Sequence, residues 1–156
     1  MSKLSSLIEE YLAGAKLLRE AVAGLSGAQL TARPIEGKWS VLEVVAHLAD
    51  FDPIMADRLK RILAEDNPTL VGADENRFHA ALAYHERDLE EELRIIESTR
   101  SQLARILRTC DESVLQRVGQ HSERGPLTLE TMLGYGVNHI PHHVQFIRAK
   151  RQALGV

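Results

Sequence analysis

Ser40-Val41-Leu42-Glu43-Val44-Val45-Ala46-His47-Leu48 opens a helix from which the rest of the chain can be read. Ser40 and Glu43 make a capping box: the Ser40 hydroxyl accepts from the Glu43 amide, and the Glu43 side chain reaches back to the Ser40 amide. Apolar residues then recur at helical spacing. Val41, Val44/Val45, Leu48, Phe51, Met55, Leu59 and Ile62 carry the helix to about residue 65. Pro53 interrupts this run and removes one backbone donor, so a bend is expected one to two turns after His47. Asn67-Pro68 and Gly72 mark the loop beyond it.

Working outward, the same periodicity appears on both sides. Leu4, Ile8, Tyr11, Ala15, Leu18, Val22 and Leu25 step by four and three, which predicts a first helix from about 4 to 24, ended by Gly24 and Gly27. Residues 31–38 read as a loop by their Pro and Gly. A third helix is expected over about 75 to 109, with Tyr84 the place for a break. Its stripe is Leu82, Leu89, Leu93, Ile96, Leu103, Leu107 and Cys110, with a polar gap at Thr99 and Arg100. Residues 119–126 read as a connector. Thr128 then caps a fourth helix ending near Leu154, before Gly155. Strand signals are almost absent. The expectation is an all-α chain, a single domain over 1–156 built as a four-helix bundle.

Composition excludes several function classes. Nineteen Lys and Arg against 22 Asp and Glu leave a net charge of −3, and no basic stripe stands out, so no nucleic-acid partner is expected. No run of 18 apolar residues is present, so no membrane span is expected. The single cysteine, Cys110, allows no internal disulfide and fits a reducing compartment. The start Met1-Ser2-Lys3-Leu4, soon followed by Glu9 and Glu10, does not look like a signal peptide. A cytoplasmic location is the expectation.

The residues that carry chemistry are histidines. His139 and His143 are spaced i and i+4, so they share one helix face about 5–6 Å apart, within reach of one ion. Both fall in the apolar stripe of the fourth helix, with Leu133, Gly136 and Ile140. His47 lies at the edge of the inward face of the second helix, beside Val44 and Phe51. Buried imidazoles need partners. Hydrogen bonds within the core would satisfy each one separately; a shared ion would satisfy all three. Three protein ligands leave one coordination position open, the pattern of catalytic metal. No His-Glu-x-x-His, paired Glu-x-x-His, Gly-rich phosphate loop, G-x-S-x-G or C-x-x-C competes with this reading.

Metal-bound imidazoles usually donate their second N–H to a carboxylate or carbonyl. Glu43 and Asp50, one turn either side of His47, are the candidates, although Glu43 already serves the capping box. His121 either lines the pocket mouth as a general acid or base, or sits on a surface loop. His79 and His85 read as exposed and structural, Cys110 as core, and Trp39 as packing at the start of the second helix.

Together these residues resemble a known family. Trp39-Ser40-Val41-x-Glu43-Val44-x-x-His47-Leu48-x-Asp50 is similar to the second-helix signature of the DinB/YfiT-like superfamily. His121-Ser122-Glu123-Arg124-Gly125-Pro126-Leu127-Thr128-Leu129, followed by His139-x-x-x-His143-x-Gln145-x-Ile147, resembles its C-terminal half. Leu63 to Pro68 and Asp74-Glu75-Asn76 also look DinB-like. The resemblance implies a four-helix bundle with a long crossover connection, and a divalent metal, zinc or nickel, held by His47, His139 and His143. It implies a small-molecule substrate, a low-molecular-weight thiol such as bacillithiol or mycothiol as cosubstrate, and a homodimer. Pro141 departs from the pattern. It removes the amide that would bond Val137, so it is either a tolerated kink or a feature that tunes the site, and His142 could replace a neighbour if the register shifts.

Two chemistries fit such a centre: transfer from a metal-activated thiol to an electrophile, which we place first, and hydrolysis by metal-activated water. A non-catalytic bundle with a structural metal, serving dimerisation or a stress response, is the third reading. Solvent access at the ion separates it from the other two.

Overall fold

The computed structural model describes all 156 residues. Four long helices form the bundle. Helix α1 (Lys3–Val22) is followed by a short α2 (Gly27–Thr31), and α3 (Val41–Ala64) is the second long helix. A two-residue strand β1 (Thr69–Leu70), α4 (Glu75–Ala81) and a 3-10 turn at Tyr84–Glu86 lead to α5 (Leu89–Leu107). A second 3-10 turn (Glu112–Gln116), β2 (Val118–His121) and β3 (Gly125–Thr128) precede α6 (Leu129–Leu154). No helix is long and apolar enough to cross a membrane.

Helix α1 packs on α5 and α6, and α3 packs on the same two, so α1 and α3 stand on opposite corners of a square. Ion pairs give the directions. Arg19, late in α1, meets Glu90 and Glu97 early in α5, while Arg108, just past the end of α5, meets Glu9. These two helices are therefore antiparallel. Lys3 meets Glu130 at one end of α1 and α6, and Arg151 donates to the carbonyls of Ala21 and Ala23 at the other, so this pair is parallel. Helices α3 and α5 also run parallel, and a parallel pair needs a connection that returns along the bundle. Residues 65–88 are that crossover.

The ends and interruptions differ from the sequence reading in detail. The first helix stops at Val22, and the stretch before the expected loop, for which the sequence reading has no element, contains α2, which has its own capping box from Ser26 and Gln29. The third helix is two helices separated around Tyr84. The connector over 119–126 is a β-hairpin: β2 pairs antiparallel with β3 and parallel with β1. Its strands have four residues each, too short for alternation to show, and Gly125 takes φ +73° at the turn. Both prolines lie inside helices that continue through them.

The apolar interior falls into two clusters. One gathers Leu4, Ile8, Leu59, Ile62, Leu103, Leu107 and Leu133; the other gathers Leu18, Val44, Val45, Leu48, Leu93, Ile96, Ile140 and Ile147. Between them lies a buried ion pair. The guanidinium of Arg100 donates from Nε (2.9 Å) and Nη2 (2.6 Å) to Asp52, from Nη1 to the Tyr11 carbonyl (2.6 Å) and from Nη2 to the Gly136 carbonyl (3.0 Å). Both charged side chains have no exposed surface. The polar gap in the third stripe is thus the point where one side chain on α5 binds α1, α3 and α6. Gly14 permits this, because a Cβ there would lie 2.6 Å from Arg100 Nη1.

The start of α3 is anchored as the capping box requires. Ser40 N donates to Glu43 Oε2 (2.7 Å) and Glu43 N to Ser40 Oγ (3.1 Å). Arg33 binds both carboxylate oxygens of Glu43, and His79 Nε2 lies 2.9 Å from Oε1. Burial opposes ionisation of Glu43, but Arg33, the Ser40 amide and His79 outweigh it and hold the carboxyl at about 2.

Two predictions follow from this packing. Arg100→Met should destabilise the protein by about 3–5 kcal/mol in urea unfolding, because Asp52 is left buried and uncompensated. The double variant Asp52→Leu/Arg100→Met should recover a large part of that loss; a double variant no more stable than the single one would contradict the account. For Glu43 the folded pKa lies below the unfolded one, so its stabilisation is present above pH 4.5 and is lost as the pH falls towards 2. Glu43→Gln should cost about 1–3 kcal/mol at pH 7, with the gap to wild type closing through that acid range.

Candidate metal centre

Helices α3 and α6 run antiparallel, and the first third of α3 faces the middle of α6, which brings His47 opposite His139 and His143. The register is fixed close by: Asp52 is five residues after His47, Gly136 is three before His139, and Arg100 binds both. The three imidazoles form a near-equilateral triangle, with ring centroids 5.1, 4.7 and 4.8 Å apart. One nitrogen from each lies within 4.8 Å of the others, and the Nε2 atoms of His47 and His139 are 3.1 Å apart. His47 is buried at 1 % exposure, and His139 and His143 are half-buried.

Burial pushes all three rings toward the neutral form. His47 is lowered to about 4, and His139 and His143 to about 3, the last two further depressed by charge on neighbouring imidazoles. At neutral pH each ring therefore keeps a free lone pair, the form that ligates metal. The set fits a divalent ion on donor chemistry as well. Three nitrogens converge, and Nδ1 of both His47 and His139 is buried without any partner. Apart from the contact between His47 and His139, no hydrogen bond satisfies these rings, as a metal-free histidine core would require.

The two expected carboxylate partners are corrected. Glu43 is taken by Ser40, Arg33 and His79, and does not reach Nδ1 of His47. Asp50 binds Arg87 through both oxygens, at 3.2 and 3.1 Å, because at three residues beyond His47 it turns to the end of the crossover. His79 is also not the exposed residue expected. It stacks on Trp39 at 4.6 Å with the planes 4° apart, and Trp39 in turn lies 5.6 Å from His47. His142 does not replace a ligand; it packs beside His143 and Phe146 on the exposed side. Helix α6 continues through Pro141, with both histidines still converging.

His143 lines a pocket with Trp39 and Lys150, while His47 and His139 line one end of a neighbouring cleft of about 580 Å³. His47, Phe51, Met55 and Arg58 of α3, at i, i+4, i+8 and i+11, form one side of its floor, and Met132, Tyr135 and His139 of α6 form the other. The roof comes from the connections: Glu75 at the start of α4, and His121, Glu123, Arg124 and Leu127 from the hairpin. His121 is buried at 7 % exposure and lines this cleft, so it does not sit on a surface loop. Its Nδ1 accepts the Glu123 amide (3.2 Å), so Nε2 carries the proton. Glu75, not singled out by sequence reasoning, has Oε2 3.8 Å from Nε2 of His47. Its motif position was visible, but only the crossover brings it over the histidines.

Known proteins resemble this chain in sequence and fold. A protein of Oceanobacillus iheyensis is 30 % identical over 132 residues, covering 85 % of this chain and 76 % of that protein. YfiT of Bacillus subtilis is 28 % identical over 139 residues, 88 % of this chain and 78 % of its own. Both carry the name "putative metal-dependent hydrolase". The solved structure of Bacillus subtilis YfiT, described as "a probable metal-dependent hydrolase with an unusual four-helix bundle topology", superposes with a TM-score of 0.90, at 26 % identity, over 99 % of this chain and 90 % of that one. The sequence model of the DinB superfamily matches residues 10–147, nearly the whole length, and the chain belongs to that superfamily.

Proposed function

We propose that the chain is a metal-dependent hydrolase of small molecules, with one divalent ion held by His47, His139 and His143. The observation that carries this reading is the convergence of three neutral imidazoles, two of which, His47 and His139, line an open cleft. A closed structural site would have no cleft at its ligands, and three nitrogens leave a position for water or substrate. Nitrogen donors suit zinc and nickel.

Such an ion, when bound, supplies Lewis acidity and an activated water near neutral pH. The chain's own residues supply the rest. Glu75, beside His47, is placed to take the proton of the attacking water. His121, whose Nε2 carries the proton and which lines the same cleft, donates a hydrogen bond to the charge that develops on the substrate, and Glu75 passes the water's proton on to the leaving group. The bond to the leaving group breaks as the water oxygen bonds to the electrophilic centre. Both partners of a hydrolysis are thus present. The order expected from the sequence, thiol transfer before hydrolysis, is reversed here: the relatives' names speak of hydrolysis and none of a thiol.

Purified protein should contain one divalent ion per chain by elemental analysis, while His47→Ala and His143→Ala should lose it. A full complement in both variants would remove the ligand assignment. With metal at 100 times its Kd the folded state should gain about 2.7 kcal/mol, read as a fall in Tm on chelation. His121→Ala should keep the ion but lower kcat for a chromogenic ester about 10²- to 10³-fold; unchanged turnover would exclude His121 as that donor.

A further inference from the structure

The cleft has two unlike ends. The histidines occupy one, and Arg58 and Arg124 occupy the other. Arg58 lies eleven residues beyond His47 on the same face of α3, on the order of 16 Å along the axis. Between them the floor and roof present Phe51, Met55, Met132 and Leu127. The guanidinium end is built but incomplete. Nη2 of Arg58 donates to the Val71 carbonyl (2.6 Å), which holds the side chain in place, while its Nε is buried and has no partner. Arg124 is held over the Tyr135 ring, 4.9 Å from its centroid. Burial, and after it the charge of Arg124, depress the basicity of Arg58, so the two cations are close enough to oppose each other. Glu123 lines the same end and its charge, with that of Asp57, partly offsets the repulsion, but neither carboxylate forms an ion pair with Arg58 or Arg124, so a bound oxyanion would still find unpaired guanidinium N–H groups.

We propose that Arg58 and Arg124 form an anion subsite, and that the substrate carries a terminal carboxylate or phosphate joined by a short apolar body to the group that reacts at the histidine end. This proposal rests on the hydrolase reading for the reacting end alone; the subsite stands on its own residues. Arg58 meets the anion with Nη1, which donates to nothing in the protein, Arg124 adds charge from the hairpin, and the apolar middle sets the distance between anion and reacting bond.

Two linear hydroxamates of equal length test it, one ending in a carboxylate and the other in a neutral amide; a third, ending in a phosphonate, distinguishes the two anion sources. On the metal-loaded protein the better anionic probe should bind at least tenfold tighter than the amide by calorimetry. Arg58→Gln and Arg124→Gln should each abolish that preference while leaving metal content and binding of the amide probe unchanged. Equal affinity of all three probes for the wild type would overturn the subsite and leave the hydrolase reading intact. If the wild type holds no metal and binds no hydroxamate, that reading fails, and the subsite is decided by hexanoate, hexyl phosphate and hexanamide on the metal-free protein: anion binding that Arg58→Gln removes supports it, and no preference overturns it.

Discussion

The guanidinium of Arg100 is the constraint on which the molecule depends. It reaches Asp52 on α3, the Tyr11 carbonyl on α1 and the Gly136 carbonyl on α6 from its own place on α5, so one side chain sets the relative height of four helices. Apolar packing alone specifies register weakly, since Leu, Ile and Val can slide past one another with modest loss. A charge buried between two apolar clusters cannot slide, because any shift leaves donors or a carboxylate unsatisfied at a cost of several kcal/mol. Its acceptors on α3 and α6 lie one to two turns from the histidines. The geometry of the triangle is thus inherited from a polar contact that contains no histidine.

Burial has opposite consequences at the two ends of the cleft. Around His47, His139 and His143 it removes protons and leaves donors ready for a cation. Around Arg58 it isolates an N–H that cannot shed its charge under ordinary conditions. A site that is nucleophilic at one pole and cationic at the other discriminates by orientation as well as by shape. No carboxylate reaches Nδ1 of His47 or His139. The nearby acids are committed to the frame instead, Glu43 to the start of α3 and Asp50 to Arg87.

Most of the bundle could be read from the chain because its helices are long and their stripes regular. The capping box at Ser40 and the caps at Thr128 and Gly155 gave boundaries within a residue or two. The ligand trio was visible because an i, i+4 pair on an inward face is a local pattern, and the third member lay on another inward face. What stayed hidden was of two kinds. The hairpin strands are too short to show a period, and β1 is only two residues long. Contacts made by the crossover, such as Glu75 over His47, His79 on Trp39 and Arg87 on Asp50, depend on where a connector lands, which periodicity does not encode. Arg100 gave a signal, a polar residue in an apolar stripe, but Asp52 was needed to interpret it.

The division of the cleft into a helical floor and a roof of connections bears on how such a protein can diversify. The floor is pinned by helix packing and by the Arg100 contacts, so alterations there disturb the ion and the core together. The roof is carried by residues 65–88 and the hairpin, where length and composition can change at little cost to the bundle. Substrate choice can therefore drift by exchange of two surface segments while the reaction chemistry is inherited unchanged.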